Sequence, residues 1–379
     1  MKKSSKIIQE GITFDDVLLL PKYSTFRRSE VDLTNRLHEK LFLKLPVISS
    51  PMDTVTETDM ASAMAQNGGL GIIHRNLKIE DQIEMLKNAK SQKISNPDLA
   101  SVDAEGRLVI GAAVGAGDDL EMRIEKLAEN GVDVFVVDSG HGHSEYIIKA
   151  AKFVKTKFPK IPLMAGNVAT YDGAKALMEV GVDILRVGVG PGSICTTRII
   201  SGMGVPQLTA VENAVEAIEG TDVTVVADGG IKQIGDMAKA LGFGAHAVML
   251  GSLLAGFDES PGEKFKIGDK EYKAYRGMGS LAAMVKGGAE RYGQDPKELK
   301  EKLIAEGVEG LVDYKGKVSD YLYQVSGSLK SSFYYIGSKN FEEFHKNAEF
   351  VKITPAGMKE SDAHSITITE VGGNYVTKK

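Results

Sequence analysis

The sequence predicts an α/β fold in which eight parallel strands and their helices close into a barrel, the (β/α)8 or TIM barrel. Eight short apolar runs recur along the 379 residues, and seven of them end on glycine, serine or histidine. Continuous apolar runs of this length are typical of parallel strands that are buried on both faces. Amphipathic stretches separate the runs, so strands and helices alternate as they do in a barrel.

The predicted elements follow one another in regular order. The apolar runs that predict strands are 46–50, 70–74, 109–115, 134–140, 162–168, 184–190, 223–230 and 247–252. Helical periodicity predicts helices over 120–130, 147–158, 173–180 and 233–241. An open doubly wound sheet is the alternative arrangement of such units, but no glycine-rich dinucleotide fingerprint follows the first run.

The whole chain, residues 1–379, is predicted to form a single barrel domain with a C-terminal extension. Two stretches are longer than the strand–helix repeat requires. Residues 88–106 are polar and predict a short connector between the second helix and the third strand. Residues 255–330 contain a glycine-rich, polar segment near 275–293, which predicts a mobile excursion, or flap, over the mouth of the barrel.

Composition and charge exclude several classes of protein. Hydrophobic residues make up 42% and charged residues 26% of the chain, as in an ordinary globular protein, and the net charge of -5 argues against a nucleic-acid partner. No run approaches the roughly 18 apolar residues that cross a bilayer, and no signal-peptide core follows the N-terminus. The single cysteine fits a reducing compartment. We therefore expect a cytoplasmic protein that binds neither nucleic acid nor membranes.

Barrels of this kind carry the active site at the carboxyl ends of the strands. That rule selects Ser50, Met52, His74, Asp138, Asn167, the loop 190–198, Asp228, Gly229, Gly230, Gly251 and Ser252. The last five follow strands seven and eight, where this fold usually binds phosphate through backbone N–H groups and hydroxyls. The alternative is that the glycines only make tight turns.

The loop 188–198 contains the only cysteine, Cys195, among glycine, serine and threonine residues. A thiol exposed at the barrel mouth, near backbone amides and Arg198, predicts a nucleophile. The alternative is a small buried hydrophobic residue. Thr197 is placed either to relay a proton or to cap a helix. His141 and His143 have no third ligand nearby, so no catalytic metal is expected.

Five motifs together resemble those of the IMP dehydrogenase / GMP reductase family. They are GITFDDV at 11–17, SSPMDTVT at 49–56, GPGSICTTR at 190–198, ADGGI at 227–231 and YRGMGS at 275–280. The resemblance covers nearly the whole chain. It implies NAD-dependent oxidation of inosine 5′-monophosphate (IMP) to xanthosine 5′-monophosphate, in guanine nucleotide biosynthesis, through a covalent thioimidate on Cys195 that water hydrolyses.

The same resemblance implies roles for individual residues. IMP would contact Ser50, Met52, Ser193, Asp228, Gly229, Gly230, Gly251, Ser252, Tyr275, Gly277, Met278, Gly279 and Glu306. NAD would contact Asp138, Ser139, Asn167, Gly188 and Gly190. A potassium ion would bind carbonyls of Gly190, Gly192 and Cys195 together with Glu360, Ser361 and Asp362 of a neighbouring subunit, which implies a homotetramer. The residues after Asp362 depart from the family's histidine-rich pattern.

Arg291 and Tyr292 distinguish the two activities within the resemblance. The dehydrogenases activate water with an Arg-Tyr pair on a flap, and this pair stands at the matching place; Glu306 resembles their secondary proton relay. One alternative is a GMP reductase that uses NADPH. Because reductases lack the Arg-Tyr pair, its presence here favours the dehydrogenase over this alternative. The other is a non-catalytic purine-nucleotide sensor, which would need none of Cys195, Thr197 and Arg291.

The connector 88–106 marks a departure from the family. Typical members insert two regulatory cystathionine-β-synthase-type repeats at this place, and only the short connector remains. Such an insertion is dispensable to a barrel when its two ends lie close together. We therefore expect no regulation by adenine nucleotides through those repeats.

Overall fold

The computed structural model describes residues 6–295 and 299–374. The ends of the predicted 1–379 domain, and residues 296–298 of the predicted 255–330 flap region, lie outside the described residues. The strands are β1 (Val17–Leu19), β2 (Asn35–His38), β3 (Leu41–Leu43), β4 (Val47–Ser49), β5 (Leu70–Ile73), β6 (Ile110–Val114), β7 (Val134–Asp138), β8 (Leu163–Val168), β9 (Ile184–Val187), β10 (Thr224–Asp228), β11 (Ala247–Leu250), β12 (Lys264–Ile267), β13 (Lys270–Arg276), β14 (Glu309–Asp313) and β15 (Phe350–Lys352).

Strands β4 to β11 close into a barrel in which every neighbouring pair is parallel, and β11 pairs with β4 to complete the ring. These eight strands are the eight predicted from the apolar runs, so the (β/α)8 fold is confirmed. Several predicted runs extend past the observed strands at their carboxyl ends. The excess residues, such as Gly188 and Gly190 after β9, leave the sheet and form the loops at the barrel mouth.

The helices are α1 (Thr58–Gln66), α2 (Ile79–Lys90), α3 (Leu120–Glu129), α4 (Glu145–Lys157), α5 (Tyr171–Glu179), α6 (Thr197–Ile200), α7 (Gln207–Ala217), α8 (Ile234–Gly242), α9 (Leu281–Val285), α10 (Val318–Ile336), α11 (Phe341–Asn347) and α12 (Pro355–Glu360). Side-chain caps begin two of the barrel helices: the hydroxyl of Ser144 accepts the Ile147 N–H, and that of Thr170 accepts the Gly173 N–H. Helix α10 packs between α8 and α1 and completes the outer ring.

Two hydrophobic layers hold the barrel together. Inside, side chains from around the whole ring of strands, among them Ile48, Val136 and Met249, fill the centre together with side chains of the β2–β3 hairpin. Outside, a larger cluster packs the opposite strand faces against the helices. Because both faces are buried, most residues of each strand are apolar, and this is why the sequence shows nearly continuous apolar runs.

Besides the β2–β3 hairpin, two further antiparallel sheets accompany the barrel. Strand β1 pairs with β15, which ties the beginning of the chain to its end. Strands β12, β13 and β14 form a three-stranded sheet between β11 and α10, and α9 and a 3-10 helix (Gly288–Tyr292), called the flap helix below, lie within that excursion. Among residues 6–295 and 299–374, no helix combines the length and apolar character that crossing a bilayer requires.

Candidate active site at the barrel mouth

A cavity opens at the carboxyl ends of the barrel strands and encloses about 1120 Å³, including its mouth open to solvent. Most residues predicted to form the site line it. They are Ser50, Met52, Asn167, Gly188, Gly190, Gly192, Ser193, Cys195, Thr197, Asp228, Gly229, Gly230, Gly251, Ser252, Tyr275, Gly277, Met278, Arg291, Tyr292 and Glu306. Because these residues come from distant parts of the sequence, the closed barrel is what brings them together.

Cys195 lies in the loop between β9 and α6, and backbone hydrogen bonds hold that loop on both sides. The Thr196 N–H donates to the Glu306 carbonyl at 3.0 Å, and the Val308 N–H donates to the Ile194 carbonyl at 3.0 Å. Cys195 itself pairs with Gly307 as in an antiparallel bridge. The thiol is half-buried and faces the cavity. Residues 306–308, which follow the flap helix, therefore hold the cysteine loop in place through backbone hydrogen bonds.

A chain of hydrogen bonds leads away from the Cys195 thiol. The thiol donates to Thr197 Oγ1 at 3.2 Å, and Thr197 Oγ1 donates to Glu306 Oε2 at 2.7 Å. A hydroxyl between a thiol and a carboxylate can pass a proton from one to the other. Thr196, rather than Thr197, occupies the N-cap position of α6, so the hydroxyl of Thr197 is available for the relay.

The glycines after β10 and the residues after β11 form the predicted phosphate corner. Gly229 and Gly230 have φ values of 92° and 78°, a region that residues with side chains rarely adopt, so the turn requires glycine at both positions. Tyr275 faces this corner from β13, and burial raises its pKa to about 12, although hydrogen bonds with Ser193 and Ser252 act in the opposite direction. A neutral phenol and a glycine turn thus line the same cavity.

Asp228 ends β10 and is held by two neighbours. Asn167 Nδ2 donates to Asp228 Oδ2 at 2.8 Å, and Arg186 Nε donates to the same oxygen at 2.9 Å. Arg186 also pairs with Asp138, so one buried guanidinium joins the carboxylates at the ends of β7 and β10. The Asn167 amide oxygen is buried and, within the described residues, has no hydrogen-bond partner.

Arg186 and Gln207 hold other residues of the site, and the sequence did not single out either of them. Arg186 interrupts the apolar run of β9, and a charge in a doubly buried strand is rare unless it is paired, which was the available signal. Gln207 begins α7 and donates from Nε2 to the carbonyls of Val187 and Asp228 at 2.9 and 3.1 Å. No pattern in the sequence singles out Gln207.

The flap helix closes over one side of the cavity. Arg291 pairs with the Asp138 carboxylate, and the Gly140 N–H donates to the Arg291 carbonyl at 2.9 Å. Burial lowers the pKa of Arg291 and raises that of Tyr292. A side chain at Gly279 would lie 2.6 Å from the Tyr292 ring, so Gly279 makes room for Tyr292 rather than lining the cavity.

Several other predicted residues also lie outside the cavity wall. Asp138 is behind Arg291 and Arg186, and the Ser139 hydroxyl, which is buried, accepts the His141 N–H at 3.0 Å. Glu360, Ser361 and Asp362 lie at the end of α12 and beyond, apart from the cavity of the same chain. Within the described ranges, no three His, Cys, Asp or Glu side chains cluster as a metal site of that type requires.

The chain is similar to known proteins over almost its full length. Residues 11–364 match the sequence model of the IMP dehydrogenase / GMP reductase domain. The chain belongs to this family. An inosine-5′-monophosphate dehydrogenase from Cryptosporidium parvum is 44% identical over 400 residues, covering 98% of this chain and 99% of that protein. One from Borreliella burgdorferi is 42% identical, covering 96% and 98%.

A third relative differs in length. The inosine-5′-monophosphate dehydrogenase of Aquifex aeolicus is 39% identical, and the alignment covers 99% of both chains. The alignment is 490 residues long, whereas this chain has 379 residues. About a hundred residues of that relative therefore have no counterpart in this chain. The family expected from the five motifs is confirmed.

Proposed function

We propose that the chain is an NAD-dependent IMP dehydrogenase that oxidises IMP to xanthosine 5′-monophosphate in guanine nucleotide biosynthesis. The observation that carries the proposal is one cavity that contains both the Cys195–Thr197–Glu306 hydrogen-bond chain and the Arg291–Tyr292 pair. A binding module needs neither a nucleophile nor a proton relay. The relatives whose names specify this activity match the chain from end to end.

In the first half-reaction, the Cys195 sulfur adds to C2 of the hypoxanthine ring of IMP. Thr197 is positioned to accept the thiol proton and to pass one on to Glu306. The C2 hydrogen leaves with its electron pair as hydride, and NAD, when bound, accepts that hydride. A C2=N double bond then forms in a thioimidate that is still attached to Cys195.

In the second half-reaction, water adds to C2 and the Cys195 thiolate leaves. We assign proton transfer from this water to Arg291 and Tyr292. Burial lowers the pKa of Arg291, whereas the Asp138 carboxylate beside it favours the charged form. Arg291 therefore gives up its own proton more easily when it turns from Asp138 toward the substrate, and its neutral form can then accept the proton of the water. Glu306, reached through Thr197, supplies a second route for the proton.

The proposed NAD residues fit a dinucleotide only when the flap helix moves. Asp138 and Gly140 are both covered by Arg291, while the unpaired amide oxygen of Asn167 is available to a ligand donor. We therefore propose that NAD and the flap helix occupy this side of the cavity in turn. Asp138, Ser139, Asn167, Gly188 and Gly190 would contact NAD in the open state.

We further propose a potassium site and a homotetramer. Backbone carbonyls are suitable ligands for potassium, and the Gly192 carbonyl, which accepts the Cys195 N–H at 3.1 Å, keeps a second lone pair. Gly190, Gly192 and Cys195 would supply carbonyls, with Glu360, Ser361 and Asp362 supplied by a neighbouring copy. Light scattering should give the mass of four chains, and potassium should support turnover better than lithium.

The connector 88–106 supports a barrel without regulatory repeats. Its ends are close together, because Lys90 Nζ bonds to Asp103 at 2.9 Å and to the Leu108 carbonyl at 3.2 Å. The extra length of the Aquifex aeolicus relative agrees with an insertion that this chain lacks. We expect millimolar adenine nucleotides to leave the rate unchanged, and a clear change would contradict this assignment.

The deciding experiment mixes the protein with IMP and NAD and follows the near-ultraviolet absorbance of NADH. A dehydrogenase produces NADH and xanthosine 5′-monophosphate in equal amounts. Consumption of NADPH with GMP would instead identify the reductase, which is the alternative within the family. Binding of IMP without any turnover would identify a nucleotide sensor.

A further inference from the structure

A second ion pair joins the flap helix to the barrel outside the lining of the cavity that contains Cys195. Arg75 Nη1 lies 3.0 Å from Glu290 Oε2, and the two side chains are 12% and 23% exposed. Arg75 follows β5, whereas Glu290 precedes Arg291 in the flap helix. Neither residue lines the cavity that contains Cys195. The pair therefore joins the flap to the barrel without contacting the site of the proposed chemistry.

The loop after β6 is shaped to receive this pair. A Cβ atom at Gly117 would lie 2.2 Å from Glu290 Oε1, and one at Gly115 would lie 2.7 Å from Arg75 Nη1. Glycine at both positions thus leaves the space that the carboxylate and the guanidinium occupy. Glu290 Oε1 is buried and, among the described residues, lacks a hydrogen-bond partner, so the Arg75 contact is what offsets its burial.

We infer that Arg75 and Glu290 are positioning residues that hold the flap helix closed and so set how often the cavity is open to a dinucleotide. The inference rests on the proposed function in one respect: it takes the space under Arg291 as the place where NAD binds. Arg75 and Glu290 would set the balance between the closed and the open flap without contacting the substrate or the reacting atoms.

Removal of the pair should therefore strengthen dinucleotide binding and slow hydrolysis. If the pair favours the closed flap by a given factor, its removal lowers the closed population by up to that factor. A dinucleotide that competes with the closed flap then binds more tightly by a similar factor, by thermodynamic linkage. Hydrolysis needs Arg291 in place, so it slows, while hydride transfer in the open state keeps its rate.

Two kinds of variant break the pair independently. Glu290→Gln keeps the shape and removes the charge, whereas Gly117→Ala keeps both charges and displaces the carboxylate. The backbone of Gly117 is outside the left-handed region, so alanine adds no backbone strain there. The matched control is Glu129→Gln, which removes an exposed ion pair with Lys126 on α3.

The first measurement needs no activity. The Gly140 N–H donates to the Arg291 carbonyl, so its hydrogen exchange reports opening of the flap helix. Both variants should exchange this proton roughly tenfold faster than the wild type and the control. Exchange at the wild-type rate in both would overturn the inference, even if the protein proves not to be a dehydrogenase.

The second measurement uses NADH as the probe. Both variants should bind NADH roughly tenfold more tightly and should hydrolyse the Cys195 adduct slower by a similar factor, with an unchanged burst of hydride transfer. Weaker NADH binding, or loss of the burst, would show that the pair builds the dinucleotide site instead. Absence of any NADH production in the wild type would refute the proposed function and leave the exchange result standing.

Discussion

The cysteine loop and the flap helix face each other across one cavity, but the protein holds them in different ways. The loop runs directly from β9 into α6, and backbone hydrogen bonds tie its residues to the segment that carries Glu306. The flap helix is bounded by Gly287 and Gly293, both with positive φ. It meets the barrel through two ion pairs and the Gly140 N–H bond.

This difference corresponds to the two proposed half-reactions. A nucleophile must hold its position through both steps, so it belongs on a loop fixed at both ends. A group that works only in hydrolysis has to leave the space that NAD needs, so it belongs on a segment with few contacts. Predictions about the loop should therefore affect both steps, and predictions about the flap should affect one.

Removing the nucleophile should have the largest effect. Cys195→Ala should lower turnover by roughly 10⁴-fold or more, because covalent catalysis loses its route entirely. IMP binding, measured by calorimetry, should persist, since the phosphate corner is intact. Rapid-quench analysis should detect neither adduct nor NADH. Turnover within a factor of ten of the wild type would remove Cys195 from the mechanism.

Changing the phosphate corner should affect binding rather than chemistry. Ser252→Ala removes a hydroxyl beside Tyr275 and should weaken IMP binding by about 1.5–3 kcal/mol, with NAD binding unchanged. The control, Ser91→Ala, removes an exposed hydroxyl that bonds to the Asn88 carbonyl, and should bind both ligands normally. Equal losses for IMP and NAD would show that the phosphate lies elsewhere.

Acid should lower the free energy of unfolding through His246, which lies at the amino end of β11, opposite the barrel mouth. Burial lowers the pKa of His246 to about 3, and its Nδ1 accepts the Val225 N–H at 3.2 Å. Because the unfolded chain takes up this proton near pH 6.5 and the folded chain does not, stability is complete above pH 6.5 and is lost as pH falls toward 3.

Between pH 6 and 4 this single group should lower the free energy of unfolding by about 1.4 kcal/mol per pH unit. Denaturant titrations of the wild type and His246→Asn measure it, since asparagine keeps an acceptor but does not titrate. The slope with pH should be shallower in the variant. Identical slopes would mean that other groups account for the acid sensitivity.

The barrel could be predicted from the sequence because its strands are buried on both faces. Each leaves a largely apolar run, and the loops that follow are marked by glycine and polar residues, which also indicated the cysteine loop and the proposed phosphate corner. The β12–β14 sheet was not predicted. All four residues of β12 are exposed, and β12 and β13 mix lysine and glutamate with aromatic and aliphatic residues.

The contacts of the flap helix also could not be predicted from the sequence. Arg75 and Glu290 are 215 residues apart, and nothing in either neighbourhood indicates the other. Arg186 was missed for a different reason: its charge was visible, but its role depends on Asp138 and Asp228, which only the closed sheet brings to it. Residues that act through distant partners leave weak local patterns.

The separation of the two half-reactions can be tested most directly with Arg291→Ala. Rapid-quench experiments with IMP and NAD would measure the Cys195 adduct and NADH within the first turnover. We expect one equivalent of each at nearly the wild-type rate, followed by accumulation of the adduct, because the variant forms the thioimidate and hydrolyses it slowly. Loss of the burst itself would contradict this division of labour and would place Arg291 in substrate binding or hydride transfer.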